Sequence, residues 1–344
     1  AQPVLYGNMA LGVVDLVTKR RTEPGSETEF NTAYGSYDSF MQSFEHGAKQ
    51  GSLDFYFVQS YRESDGHRPF ASGRLENYLF RVGYELSPHW SANLLYHHTD
   101  NTAADPGDIR PGMREGRFDT RSDFGVLTFA NQYENSEGYV KLYWDSGGID
   151  WVDQFNPMTG RNESDTLTDW DNYGIRVRQT FHPVDGAELM VGHDLDYISG
   201  EVLFRSPGPD RVFPRETYRL SQPYFLYSHR FDLAEDVWIK PSFGARGFFH
   251  SVFDDEIGPQ AGVVLNIDRT QFHFGYARGL NYPGVFVDTL GNTFQPGNNR
   301  QDELSAEIVE HFEYGSSHDF NENLTVEVVG FVDQGRDRIA FTPP

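Results

Sequence analysis

Leu75-Glu76-Asn77-Tyr78-Leu79-Phe80-Arg81-Val82-Gly83-Tyr84-Glu85-Leu86 is the stretch that decides the fold. In an extended chain Tyr78, Phe80, Val82, Tyr84 and Leu86 fall on one face, and Asn77, Arg81, Gly83 and Glu85 on the other. The same alternation returns in Asp171–Phe181, where Tyr173, Ile175, Val177 and Phe181 oppose Asn172, Gly174, Arg176 and Arg178. Ala187–Tyr197 sets Leu189, Val191, Leu195 and Tyr197 against Glu188, Asp194 and Asp196, and Leu324, Val326, Val328 and Val332 share one side near the end. Period two over about ten residues outruns the usual five or six of a globular strand and matches what a tilted strand needs to cross a bilayer.

Working outward, fifteen such strands are predicted: Glu27–Gly35, Tyr37–His46, Ser52–Arg62, Leu75–Leu86, His89–Thr99, Arg121–Tyr133, Gly138–Asp145, Asp169–Phe181, Ala187–Ile198, Thr217–Arg230, Asp236–Phe249, Glu256–Asn266, Thr270–Leu280, Glu303–Gly315 and Asn323–Asp333. Short connections (Gly47–Gly51, Ser87–Pro88, Glu134–Glu137, His182–Gly186, Phe231–Glu235, Ile267–Arg269, Ser316–Glu322) alternate with mostly long ones (Glu63–Arg74, Asp100–Thr120, Ser146–Thr168, Ser199–Glu216, Asn281–Asp302). Only Ser36 and His250–Asp255 are brief members of the second set. In an up-and-down antiparallel sheet alternate connections lie at opposite ends, so one end carries tight turns and the other long loops. That asymmetry belongs to an antiparallel transmembrane β-barrel, an all-β fold. A soluble propeller would show a repeat of about 40–50 residues, and none recurs.

Composition agrees once read with care. The 344 residues include 51 acidic and 28 basic side chains, a net charge of −23, which disfavours a nucleic-acid partner. With no cysteine, disulfides, thiolate metal sites and thiol catalysis are excluded. No run of about 18 apolar residues offers a membrane helix. The mean hydropathy of −0.58 looks that of a soluble protein, but a wide barrel shows lipid only half of each strand. Aromatic residues at 15% and 34 glycines lean toward β structure. The chain opens on Ala1-Gln2-Pro3-Val4, without a basic start or apolar core of a signal peptide, so its beginning is expected to be trimmed.

Leu5-Tyr6-Gly7-Asn8-Met9-Ala10-Leu11-Gly12-Val13-Val14-Asp15-Leu16-Val17-Thr18-Lys19-Arg20 resembles the end of the plug domain of TonB-dependent outer-membrane receptors, with one glycine of the usual pair replaced by Leu11 and the usual Asn by Asp15. Phe274-Gly275-Tyr276-Ala277-Arg278-Gly279 before Asn281-Tyr282-Pro283, then Asp302-Glu303-Leu304, Glu310–Gly315 and Val332–Ile339, resemble successive barrel segments of that family, in family order. The resemblance implies a plug remnant at 1–24 and a barrel domain at 25–344, part of a 22-stranded wall that lacks its last strands. An odd count of fifteen fits that expectation, since single-chain bacterial barrels are even. The first and last predicted strands should therefore not pair.

The resemblance further implies active uptake of a scarce nutrient chelate, a ferric siderophore first, across the bacterial outer membrane, driven by the TonB–ExbB–ExbD complex through the plug. A passive porin or surface-binding barrel is the alternative. No G-x-S-x-G, H-E-x-x-H or P-loop appears, so no enzyme is expected. Only four lysines occur (Lys19, Lys49, Lys141, Lys240), so the cationic chemistry is guanidinium. Arg110, Arg114, Arg117 and Arg121 crowd one predicted loop, and Arg205, Arg211, Arg215 and Arg219 another. Guanidinium forks suit either an anionic chelate or lipopolysaccharide phosphates. Phe70, Trp151, Phe155 and Phe213 offer stacking surfaces or interfacial anchors. The candidate ligand set is Arg110, Arg114, Arg117, Arg211, Arg215, Trp151 and Phe155. Asp100, Asp105 and Asp108 form a candidate calcium loop without the spacing of an EF-hand, and no other cofactor is expected. His97 and His98 point to opposite faces and share no metal. Arg81, Glu85, Arg176, Arg178, Asp194 and Asp196 are expected to face the lumen and to pair across strands or hydrate the interior.

Overall fold

The computed structural model describes residues 17–107, 116–156, 159–284 and 304–338. They form one antiparallel sheet: β1 (Gly25–Gly35), β2 (Ser39–Gln50), β3 (Leu53–Ser64), β4 (Gly73–Ser87), β5 (Trp90–Asp105), β6 (Gly116–Tyr133), β7 (Ser136–Asn156), β8 (Arg161–Phe181), β9 (Ala187–Arg205), β10 (Arg211–His229), β11 (Phe231–Ala234), β12 (Val237–His250), β13 (Glu256–Ile267), β14 (Thr270–Asn281), β15 (Glu307–Asn321) and β16 (Leu324–Arg336). Each strand pairs with the next along the chain, except that β10 and β11 both pair β12. The four-residue β11 prolongs β10 past Arg230, so the wall has the fifteen staves that the periodicity predicts.

The two faces are inside-out by the standard of a soluble protein. Phe80, Leu142, Trp144, Tyr173, Val191, Phe225, Phe243, Phe274 and Tyr314 stand exposed on the outer face. Asp54, Thr180, Asp194, Asp196, Gln222, Ser228 and Arg246 are buried on the inner face. A folded chain that hides its charges and shows its rings to the surroundings is built for hydrocarbon outside. The expected facing holds: Phe80 and Val82 alternate with Arg81, and Ile175 and Val177 with Arg176.

The band has visible edges. At the short-turn end Trp90 Nε1 donates to the Tyr133 hydroxyl at 2.8 Å, and His89 stacks on the same ring. Toward the other end Trp144, Tyr173 and Tyr197 form a line, the two tyrosines stacked at 5.0 Å. Beyond it the outer face turns abruptly acidic, through Asp171, Asp169, Asp150 and Asp119. Rings with one polar edge sit where lipid meets water.

The long connections are a correction. Ser146–Thr168 is mostly strand: β7 runs to Asn156 and β8 starts at Arg161. β5 and β6 likewise reach Asp105 and back from Gly116, and β9 and β10 reach Arg205 and back from Arg211. Beyond the band the alternation changes sign, with Ile149, Trp151 and Trp170 turned inward and Asp150, Asp169 and Asp171 outward, so the apolar-out pattern stops while the backbone ladder continues. The sequence pattern loses the strand there; the hydrogen bonds do not.

β1 and β16 are exposed along nearly their whole lengths, and among the described residues they do not pair. As first and last of fifteen alternating staves they run in the same direction. Antiparallel closure would need an odd number of strands between them.

Candidate functional site

Three zones lie on the inner face. At the short-turn end the segment before β1 is strapped to the wall. Arg20 donates from Nε and Nη2 to the two oxygens of Asp54 at 3.0 and 2.8 Å. Lys19 Nζ reaches Glu45 at 2.9 Å, where the Tyr56 hydroxyl also donates at 2.6 Å. Arg81 Nη1 meets the carbonyl and hydroxyl oxygens of Thr18 at 3.4 and 3.3 Å. Gly83 makes room for this: a Cβ there would lie 2.5 Å from Asp54 Oδ2. Residues 18–20, at the end of the segment that resembles a plug, thus lie against the inner wall; 1–16 fall outside the described residues.

At mid-height β7, β8, β9, β10 and β12 contribute a charged belt. Arg246, almost wholly buried, donates from Nη1 to Asp194 at 2.7 Å and lies 4.1 Å from the ring centre of Tyr224. Arg176 Nη1 reaches Asp196 at 2.5 Å. Tyr143 donates its hydroxyl to the same carboxylate, and Gln222 Nε2 donates to its second oxygen at 3.0 Å. Gly192 is required here, since a Cβ would meet Tyr224 Cζ at 2.3 Å. Two carboxylates and two guanidiniums cancel, and Asp196 accepts on both of its oxygens while Asp194 accepts from Arg246. This is what burial of charge demands.

Beyond the band, the inner face of β6–β9 changes character. Phe118, Ile149, Trp151, Trp170, Ile198 and Val202 line a cavity of about 460 Å³, with Thr166, Thr168 and Asn172 among its polar members. Trp151 stacks on Phe118 with centroids 5.2 Å apart, and its buried Nε1–H has no partner among the described residues. Trp170 is held by donation from Nε1 to Asp145 at 3.1 Å. Next to Val202 in the ladder stands Phe213, in edge contact with Phe204. Farther round the same end, Tyr218, Leu220, Phe248, Phe253, Leu280, Tyr282 and Ile308 bury one another. His250 sits against that cluster, its Nδ1 accepting the Val252 and Phe253 N–H groups at 3.1 Å. Burial lowers its pKa to about 4, so it is neutral at pH 7.

No family model matches the sequence, and no curated protein is similar enough to match it. Solved structures do match. The copper transporter OprC aligns with a TM-score of 0.72 at 14% identity over 93% of this chain and 55% of its own. A substituted form of the ferric enterobactin receptor PfeA from Pseudomonas aeruginosa gives 0.71 at 12% over 97% and 56%. The siderophore receptor PirA from Acinetobacter baumannii gives 0.67 at 11% over 93% and 54%. This chain has the wall fold of TonB-dependent outer-membrane receptors. It spans about half the length of those it matches.

On that wall the residues singled out from sequence scatter. Arg110, Arg114 and Asp108 lie outside the described residues. Arg117 is fastened to Asp119 at 2.8 Å, and Arg215 to Asp171 at 2.5 Å and Glu201 at 3.2 Å. Both point to the outer face, because Asp119, Asp171 and Glu201 alternate with the inward Phe118, Trp170 and Val202. Arg211 is exposed at the start of β10. Trp151 lines the inner cavity; Phe155 stands nearer the hairpin tip, opposite Asn162. Asp100 accepts from Arg74 at 3.3 Å and Asp105 from the Gly107 N–H at 3.2 Å. Among the described residues no three His, Asp or Glu side chains are placed to hold a metal. The lumen-facing set fares differently: Arg176, Asp194 and Asp196 meet as expected, Arg178 lies over Tyr139 at 4.6 Å, and Glu85 pairs with Lys49 at 2.9 Å. Sequence reasoning missed Arg246, Gln222, Tyr224 and the Arg20–Asp54 clasp. A charged or amide residue on the polar side of a long strand was the available signal.

Proposed function

We propose that this chain is the wall of an outer-membrane receptor that takes up a scarce nutrient chelate, a ferric siderophore first, energised through TonB–ExbB–ExbD by a plug seated in the lumen. The observation that carries the reading is the strap: three consecutive residues, Thr18, Lys19 and Arg20, bound by the inner wall just before β1. A passive pore has no use for a segment clasped into its lumen. Support also comes from the fold, shared with proteins named as receptors and transporters of ferric chelates and copper. No step makes or breaks a covalent bond in the ligand; recognition and passage are the whole chemistry. Deletion of the gene should abolish growth on one iron chelate under iron limitation while leaving growth on others intact. Unchanged growth and radioiron uptake on every chelate would favour the porin reading.

A further inference from the structure

We infer that Glu313 and His311, side by side on the inner wall, hold a divalent metal ion of the zinc and copper class. The inference goes beyond the uptake reading and does not rest on it. Alternation along β14, β15 and β16 turns His273, His311, Glu313 and Asp333 inward, opposite the outward Phe274, Phe312 and Tyr314. The first ground is charge. Asp54, Asp194 and Asp196 each take a guanidinium, from Arg20, Arg246 and Arg176. Among the described residues the ion-pair partners of Glu313 and Asp333 are imidazoles alone. The second ground is the His311 tautomer. Its Nδ1 lies 2.6 Å from Asp333 Oδ1, and a carboxylate there keeps a proton on Nδ1. In the neutral ring Nε2 then carries a lone pair. That atom is buried with no hydrogen-bond partner among the described residues, 3.5 Å from Glu313 Oε2. Two acceptors facing each other repel, and a cation between them turns the repulsion into binding. A carboxylate behind the ring is also the usual support of a metal-ligating histidine.

The third ground is spacing. His273 Nε2 stands 3.5 Å from the other oxygen of Glu313. A charge-assisted hydrogen bond would close to about 2.7–2.9 Å. Two ligands bonded to one ion at about 2.0–2.2 Å stand roughly 3.3–3.6 Å apart at tetrahedral angles. The backbone leaves room. A Cβ on Gly315 would lie 2.4 Å from His273 Cε1, whereas one on Gly275, directly across the ladder from Glu313, would meet nothing within 4 Å. Among the described residues no three side chains converge as they stand. His311 and Glu313 are therefore the pair that holds the ion, with its other positions left to water and to groups the ion brings. Imidazole beside carboxylate suits zinc or copper better than calcium or magnesium.

The test is equilibrium dialysis of the complete detergent-purified protein against radiozinc at neutral pH, with excess Mg²⁺ present to occupy oxygen-only sites. Folding is checked by heat-modified electrophoretic mobility. The parent should bind zinc saturably, and His311→Ala and Glu313→Gln should each weaken that binding about tenfold or more. Glu313→Gln serves alone if His311→Ala does not fold. His193→Ala, exposed on the outer face, should change nothing. Asp333→Ala should cost about tenfold, whereas Asp333→Asn, which still offers an oxygen to the Nδ1 proton, should keep most of the affinity. No saturable binding by the parent would overturn the inference, a proton alone then filling the place between ring and carboxylate. Undiminished binding in His311→Ala and Glu313→Gln would overturn it equally, the zinc then being held adventitiously by other histidines. Either result leaves the uptake reading standing.

Discussion

Arginine–aspartate pairs occur on both faces of the same sheet, and they are not the same interaction. On the inner face Arg246 and Asp194 are almost wholly hidden, with side-chain exposures of 1% and 8%. On the outer hairpins Arg215 and Asp171 keep 35% and 53% of theirs. Inside, little water remains to solvate a charge that loses its partner. Outside, solvent and salt stand in at once. The inner pairs therefore fix geometry, and the outer ones decorate it.

The comparison breaks most readily at Arg246. Arg246→Ala leaves Asp194 with only the more distant Arg176 Nε at 3.9 Å, in a site that excludes water. A loss of about 3–5 kcal/mol is expected, the usual result of orphaning a buried charge. Urea titration of the protein in lipid vesicles measures it; a loss below about 1 kcal/mol would place the belt with the surface pairs. The double variant Arg246→Met, Asp194→Leu should recover much of the loss, because it removes both charges and keeps volume.

The clasp is intermediate. Asp54 is 2% exposed while its partner Arg20 keeps 36%. Removing the guanidinium strands a buried carboxylate, yet water reaches the site from Arg20's side, so Arg20→Ala should cost about 1–3 kcal/mol. Its structural consequence is sharper. Asp54→Ala should release the strap, and trypsin should cut after Lys19, Arg20 or Arg21 much faster than in the parent. Unchanged cleavage would mean that Lys19 and Thr18 hold the segment without it.

These contrasts also show what the sequence could reveal. Fifteen staves, their order and their facing are legible because lipid on one side and water on the other impose period two, and a one-residue error would turn Arg176 and Asp194 into hydrocarbon. The reach of β7 to Asn156 and of β10 from Arg211 was not legible, since beyond Trp144 the outer face turns from apolar to acidic and the apolar-out pattern ends before the strands do. Of the site, the charged face was readable but not the partners. Arg246 and Asp194 are far apart in sequence, with β10 between their strands. The arginine clusters misdirected attention: basic residues close in sequence suggest one ligand, but Arg117 and Arg215 both turn to the outer face, each to carboxylates of its own.

Arg215 sharpens the other end of the scale. Arg215→Gln removes a guanidinium shared between Asp171 and Glu201. Both carboxylates remain hydrated, so the change in stability should stay within about 1 kcal/mol and shrink further in high salt. A loss comparable to that of Arg246→Ala would show that the outer hairpins are shielded from solvent by a covering loop or by lipid headgroups.

Asp150 gives the smallest expected effect and a sign opposite to the rest. It stands directly across the ladder from Asp119, with Asp169 on the next strand, above the aromatic line. Burial first, then repulsion from Asp169 and Asp119, raises its pKa, opposed only by a Thr168 backbone hydrogen bond and the charge of Arg205. A carboxyl whose folded pKa is raised favours folding while it is protonated, and that contribution is lost as pH rises through its folded value. At pH 7 the group is therefore a liability. Asp150→Asn keeps the shape and removes the charge, so it should stabilise the protein at pH 7 by about 0.2–1 kcal/mol, the size of a relieved like-charge pair across strands. Below about pH 4 the parent carboxyl is itself neutral and the advantage should vanish. Unfolding midpoints of both proteins at the two pH values decide it. A destabilised Asp150→Asn at pH 7 would mean that the ionised carboxylate is held by a cation, and would bring the outer acidic face closer in kind to the paired interior.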